Sequence, residues 1–161
     1  MRRRTAVACA LSILLAAAAQ HALGARLAVW GARPDLPLLL LAGWSLILHR
    51  RSAAVYGFFA GLVDGALAVS GMGASIASRA IAGFAAAWSR NLGFEAGWLA
   101  AAGTTVATTL LAEFLWMFFA APRHVAGFVA DTIRTATYNG VLAIPLYALL
   151  NRIGRGGNRF G

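Results

Sequence analysis

Residues 57–73, GFFAGLVDGALAVSGMG, space glycines four apart at 57, 61 and 65 and set one carboxylate in an otherwise apolar run. At about 100° per residue, Gly57, Ala60, Gly61, Asp64, Gly65 and Ala68 share roughly 140° of one helical face, which is nearly bare backbone. In water this would be a poor helix, because each interior glycine costs about 1 kcal/mol relative to alanine. In lipid the backbone must satisfy its own hydrogen bonds, so the helix forms and the small residues let a second helix approach closely. An ionised aspartate facing acyl chains costs about 2.5–3.5 kcal/mol on insertion scales, so Asp64 is expected to point into protein, toward a partner.

The rest of the chain obeys the same constraint. Of its 161 residues 60% are hydrophobic and 12% charged, with a mean hydropathy of +0.72, whereas a soluble domain carries about a quarter charged residues. One all-α integral membrane domain over residues 1–153 is expected. The net charge of +9 comes from arginine, since the chain has no lysine. The arginines punctuate the ends of apolar runs and form no single basic surface, which reads as topogenic charge and excludes nucleic acid as a partner. Cys9 is the lone cysteine and has no intrachain disulfide partner.

Six apolar spans are expected, at about 6–23, 36–48, 53–69, 74–88, 97–119 and 127–150. The first follows a basic start and is long enough to cross about 30 Å of hydrocarbon; the same pattern describes a signal peptide, which intact mass would distinguish. An interfacial stretch with Arg26, Trp30 and Arg33 ends in RPDLP, where Asp35 can cap the next helix and Pro34 and Pro37 restrict its entry. The span at 36–48 is short, about 20 Å of helix, unless His49, Arg50 and Arg51 snorkel. SGMG at 70–73 reads as a tight turn with Gly71 and Gly73. Asp64 lies six residues before it and Arg79 six after, so the two charges are expected at similar depth in a helical hairpin, as an ion pair.

Further on, threonines between 104 and 109 bond back to their own helix carbonyls in the ordinary reading. Glu113 is an acid inside an apolar run, and with Arg134 symmetric to it about the connection near Pro122 a second buried pair is expected. Asp131 and Arg134 share a face at i, i+3. Pro145 should kink or locally open the last helix. Residues 154–161 are expected to be a disordered basic tail. Of the arginines at span ends, 2, 3, 4, 50, 51, 90, 152, 155 and 159 fall on the side holding the termini and 26, 33 and 123 on the other, which favours cytoplasmic termini.

Intramembrane catalysis needs a nucleophile with its base, or a metal with several ligands, converging on one place. His21, His49 and His124 sit near span ends on different sides, and the chain has no His-x-x-x-His pair, paired cysteines or Gly-x-Ser-x-Gly. No metal, cofactor or enzymatic activity is expected.

Arg33, Pro34 and Asp35 opening a short leucine-rich helix, then basic residues, then Gly57, Phe58, Gly61 and Asp64 in GF-x-x-G-x-x-x-D, and the glycine turn at Gly71 and Gly73, resemble the rod shape-determining protein MreD family. The motif covers about residues 33–80; the remainder is similar in hydropathy. The resemblance implies a six-helix transmembrane bundle in the bacterial inner membrane, similar in architecture to the substrate-binding subunits of energy-coupling-factor transporters. It implies a non-catalytic scaffold of the cell-elongation machinery that directs lateral peptidoglycan synthesis. Its partners would be MreC and, through it, MreB, RodA and the elongation transpeptidase. The architectural similarity leaves open an alternative, a vitamin-binding transporter subunit with a solute pocket near the outer leaflet.

Overall fold

The computed structural model describes residues 3–24, 26–29, 32–68, 71–89 and 97–156. The expectations for Trp30, Ser70, the polar connection 90–95 and the last tail residues, 157–161, lie outside the described residues. Six helices follow in order: α1 (Arg3–Leu23), α2 (Leu36–Ser45), α3 (Arg50–Leu67), α4 (Met72–Trp88), α5 (Trp98–Ala120) and α6 (Val125–Gly156).

The short helix is the centre. α2, LPLLLLAGWS, is apolar around nearly its whole circumference, the pattern of a helix with no solvent face. Each of the other five helices packs against it, and Leu38, Leu41, Ala42 and Ser45 are completely buried. It stops at Ser45 instead of reaching 48, because the Ile47 and Leu48 amides both turn back to the Trp44 carbonyl (2.9 and 2.8 Å). Ten residues span only about 15 Å, half of a hydrocarbon core.

Around α2, the α3–α4 hairpin is the most extensive helix pair and α5–α6 the next. α1 and α5 are long and apolar enough to cross a membrane. Leu14, Leu15, Phe58, Phe59, Phe118 and Val141 all stand exposed, so the outer surface is apolar while the interior holds serines, threonines, an asparagine and an arginine. That inversion suits a hydrocarbon solvent. α6 continues through Pro145 to Gly156, taking in the first three residues of the expected tail.

At one end of the core, Ser12 of α1 accepts from Trp44 Nε1 (3.0 Å) and shares a hydrogen bond with the Tyr56 hydroxyl (3.0 Å), tying α1, α2 and α3 together. The polar centre described next lies in the opposite half, where α1, α3 and α5 end and α2, α4 and α6 begin.

Candidate functional site

A helix start leaves its first amides without intrahelical partners, and the start of α2 is buried, so those groups must be met by protein. Asp35 caps it by accepting the Leu38 N–H at Oδ1 (2.9 Å). Pro37 has no N–H to satisfy. Gln20 of α1 brackets the entry: its Nε2 donates to the Pro34 carbonyl (2.9 Å) and its Oε1 accepts the Leu36 N–H (3.0 Å). Asn139 of α6 does the same for Asp35, accepting its N–H (3.1 Å), donating to its carbonyl (3.3 Å) and donating also to Thr109 Oγ1 of α5 (3.2 Å). The RPDLP segment is thus a junction gripped by α1 and α6, with α5 bracing Asn139 through Thr109, as well as a helix start. Arg33, beside it, is exposed at the rim.

Arg79 completes the junction from α4. It is 4% exposed, and its Nη2 lies 3.0 Å from Asp35 Oδ2 and 3.0 Å from Asp64 Oδ2. One guanidinium nitrogen serves two carboxylates, from the mouth of α2 and the end of α3, while Nε, also buried, has no partner. Removing one partner of such a buried cluster strands the others in low dielectric, a loss of about 3–5 kcal/mol.

The two charges meet although their backbones are not level. A Cβ on Gly57 would strike the Arg79 carbonyl and one on Gly61 the Ser75 carbonyl; on Gly65 it would lie 2.8 Å from Met72 Cα, and on Gly83 2.6 Å from the Ala53 carbonyl. This register sets Arg79 opposite Gly57, about 10 Å of helix from Asp64 and not at the equal depth expected from counting to the turn. Side chains lean toward the N-terminus of their own helix. In the antiparallel pair that tilts Asp64 away from the turn and Arg79 toward it, so they converge.

Glycine is required along α3 by backbone contact, and at Gly71 by conformation: φ is 84°, and a Cβ there would lie 3.2 Å from the Trp116 ring. Gly73 differs. It lies inside α4, and an added Cβ would meet nothing within 4 Å, so the turn expected at 70–73 ends at Gly71.

The expected Glu113–Arg134 pair is not formed. Arg134 lies on the outside of α6, 57% exposed, and among the described residues its ion pair is with Asp131 (3.4 Å). The inward face of α6 is Thr132, Ala136, Asn139 and Ala143. Symmetry about a turn sets depth but not rotational phase, and Arg134 is about 140° of helix away from Asn139. Glu113 faces the Arg79 cluster instead, in a cavity of about 260 Å³ shared with Asp35, Asp64, Trp116 and Phe128.

Gln20 and Asn139 are functional side chains that the sequence reading missed. Each is an amide interrupting an apolar run, the same oddity that singles out Asp64, and Asn139 is fully buried. Thr105 and Thr108 do bond back to Ala101 and Thr104. Among the described residues no cluster of three or more histidine, cysteine or acidic side chains is close enough to hold a metal ion.

In comparisons with known proteins, the family model of rod shape-determining protein MreD matches residues 1–153. No curated protein and no solved structure matches.

Proposed function

The chain belongs to the rod shape-determining protein MreD family, and from that premise we propose that it is a scaffold of the bacterial cell-elongation complex, needed for rod shape and lateral peptidoglycan synthesis. The family is one of non-enzymatic membrane components of shape determination. In this reading the chain crosses the cytoplasmic membrane as a six-helix bundle with both termini in the cytoplasm. It binds MreC and, through it, MreB, RodA and the elongation transpeptidase.

The observation that carries the reading is the junction at Asp35, Arg79 and Asn139. Its polar groups are satisfied mainly by one another across five elements, which supports a role in fixing shape over a role in turning over substrate. A scaffold has to present the same outer surface each time a partner arrives. Locking α3 to α4 through a glycine seam and pinning both to α2 through charge gives such a surface, with Val55, Phe58, Phe59 and Ile81 left outside to receive another helix.

The test is replacement of the resident copy in a rod-shaped bacterium. Wild-type protein restores rods and co-purifies with MreC. Arg79→Leu gives round cells and loses MreC. Rod shape without MreC binding, or a stoichiometric vitamin in the purified protein, overturns the scaffold.

A further inference from the structure

The described acids, Asp35, Asp64, Glu113 and Asp131, all lie in the half of the bundle where α2, α4 and α6 begin. The other half, where α1 and α3 begin, presents Arg50 and Arg51 with no described carboxylate to meet them. Arg50 is occupied, its guanidinium standing over the Trp88 ring 5.0 Å from the centroid. Arg51 lies about 100° further round α3. It is exposed, makes no ion pair among the described residues, and lines one end of a groove between α1 and α3.

The groove has a volume of about 510 Å³. Ala6 and Ala10, about one turn apart on α1, leave it open, and Cys9, Ile13 and Tyr56 form a buried floor. The Tyr56 hydroxyl is shared with Ser12 (3.0 Å), so its polar atom is met inside the protein and the floor offers hydrocarbon. Ser52 joins Arg51 at the polar end. Charge at the bundle surface and an apolar trough leading inward are the complement of an anionic amphiphile.

The shape of the groove selects among apolar occupants. On α3 its lining runs from Arg51 to Val63, about 18 Å of helix. That is close to the depth of one leaflet, half of about 30 Å of hydrocarbon. Spread over this length the volume averages roughly 28 Å² in section, a slot about 6 Å across, whereas a helix with its side chains needs about 10–12 Å. A spanning helix would also need a seat continuing to the far side.

We propose that the groove holds one acyl chain of an anionic phospholipid, with the headgroup phosphate against Arg51. An acyl chain gains little by leaving lipid for an equally apolar groove, so fit places the chain and the unmet charge of Arg51 selects the headgroup. Val55 and Phe59 line the same groove, so the lipid abuts the outer face offered to a partner helix.

The test uses the full-length protein in phosphatidylcholine nanodiscs doped with phosphatidylglycerol. Lipids retained after release into detergent are counted by native mass spectrometry, and folding is followed by thermal unfolding. Wild-type protein retains one phosphatidylglycerol in preference to phosphatidylcholine. Arg51→Gln, at an exposed position without an ion pair, folds as the wild type does and loses that preference about fivefold, the share of one arginine at an anionic surface. Ala10→Phe fills the groove and lowers retention of both lipids; should it fail to fold, Arg51→Gln alone decides. Equal retention of the two lipids by the wild type, or a preference unchanged by Arg51→Gln, overturns the site. So does an Ala10→Phe protein that folds and keeps its lipid; if it also loses MreC, the occupant is a helix.

Discussion

The α3–α4 and α5–α6 hairpins are both consecutive helices folded back on a short connection, yet they close by different means. In the first, glycines at 57, 61, 65 and 83 bring backbone against backbone, with no room for a Cβ. In the second, Gly103 and Gly127 face nothing within 4 Å, a Cβ on Gly140 would meet a Val106 methyl at 2.6 Å and the Ala102 carbonyl only at 3.6 Å, and the side-chain links are Asn139 to Thr109 and the Trp116–Phe128 stack. A backbone seam fixes spacing and register but forbids substitution; side-chain links hold separate points and leave the rest adjustable. The molecule thus joins a rigid half to a tunable one, and the charged junction sits where they meet.

The largest test of this contrast is Arg79→Leu, which should destabilise by about 3–5 kcal/mol, since the acids around it lose their cation. Asp64→Asn should cost less, its side chain being 28% exposed against 5% for Arg79. Thermal unfolding and monodisperse yield in mild detergent would measure both. The double change Arg79→Leu with Asp64→Leu should stay far below the Asp64→Leu single, because Asp35 and Glu113 remain uncompensated. Full recovery in the double would reduce the junction to a simple pair.

Next in size come the glycines. Gly57→Ala or Gly61→Ala must push α4 away and should cost about 1–3 kcal/mol, as overpacking does. The same substitution at Gly103 or Gly127 adds a methyl in open space and should be neutral or stabilising by up to about 1 kcal/mol. Equal responses in the two hairpins would erase the distinction drawn between them.

This difference also explains what could be read in the sequence. A seam of small residues repeats along the chain, so its periodicity is visible, and a carboxylate on it is conspicuous against lipid. The link through Asn139 is one residue contacting Asp35 from 104 positions away, and nothing local to TYNG marks its target. Depth was legible for Glu113 and Arg134 and rotational phase was not, because a symmetric count about a connection ignores which way each helix faces. For Arg79 the tilt of side chains made good an error of two turns. The end of α2 escaped because leucines continue past Ser45 while the backbone turns.

Asn139→Leu probes the tunable half directly. It strands the Asp35 N–H and the Thr109 hydroxyl while keeping volume, and should cost about 1–3 kcal/mol, the penalty of a buried unsatisfied group. Gln20→Leu should cost less, being only half-buried. If either were as severe as Arg79→Leu, the α5–α6 side would be as rigid as the seam.

The smallest effect belongs to the pair that depth alone would have made important. Asp131→Ala and Arg134→Ala remove an exposed i, i+3 contact on the outer face of α6, and such pairs contribute about 0.3–0.5 kcal/mol. Each should shift unfolding barely above error, and the double change should add nothing further. The measurement discriminates because a buried Glu113–Arg134 bridge would make Arg134→Ala cost several kcal/mol and leave Asp131→Ala silent. Near-equal, small losses therefore place Arg134 outside the junction and leave Arg79 as the cation that Glu113 faces.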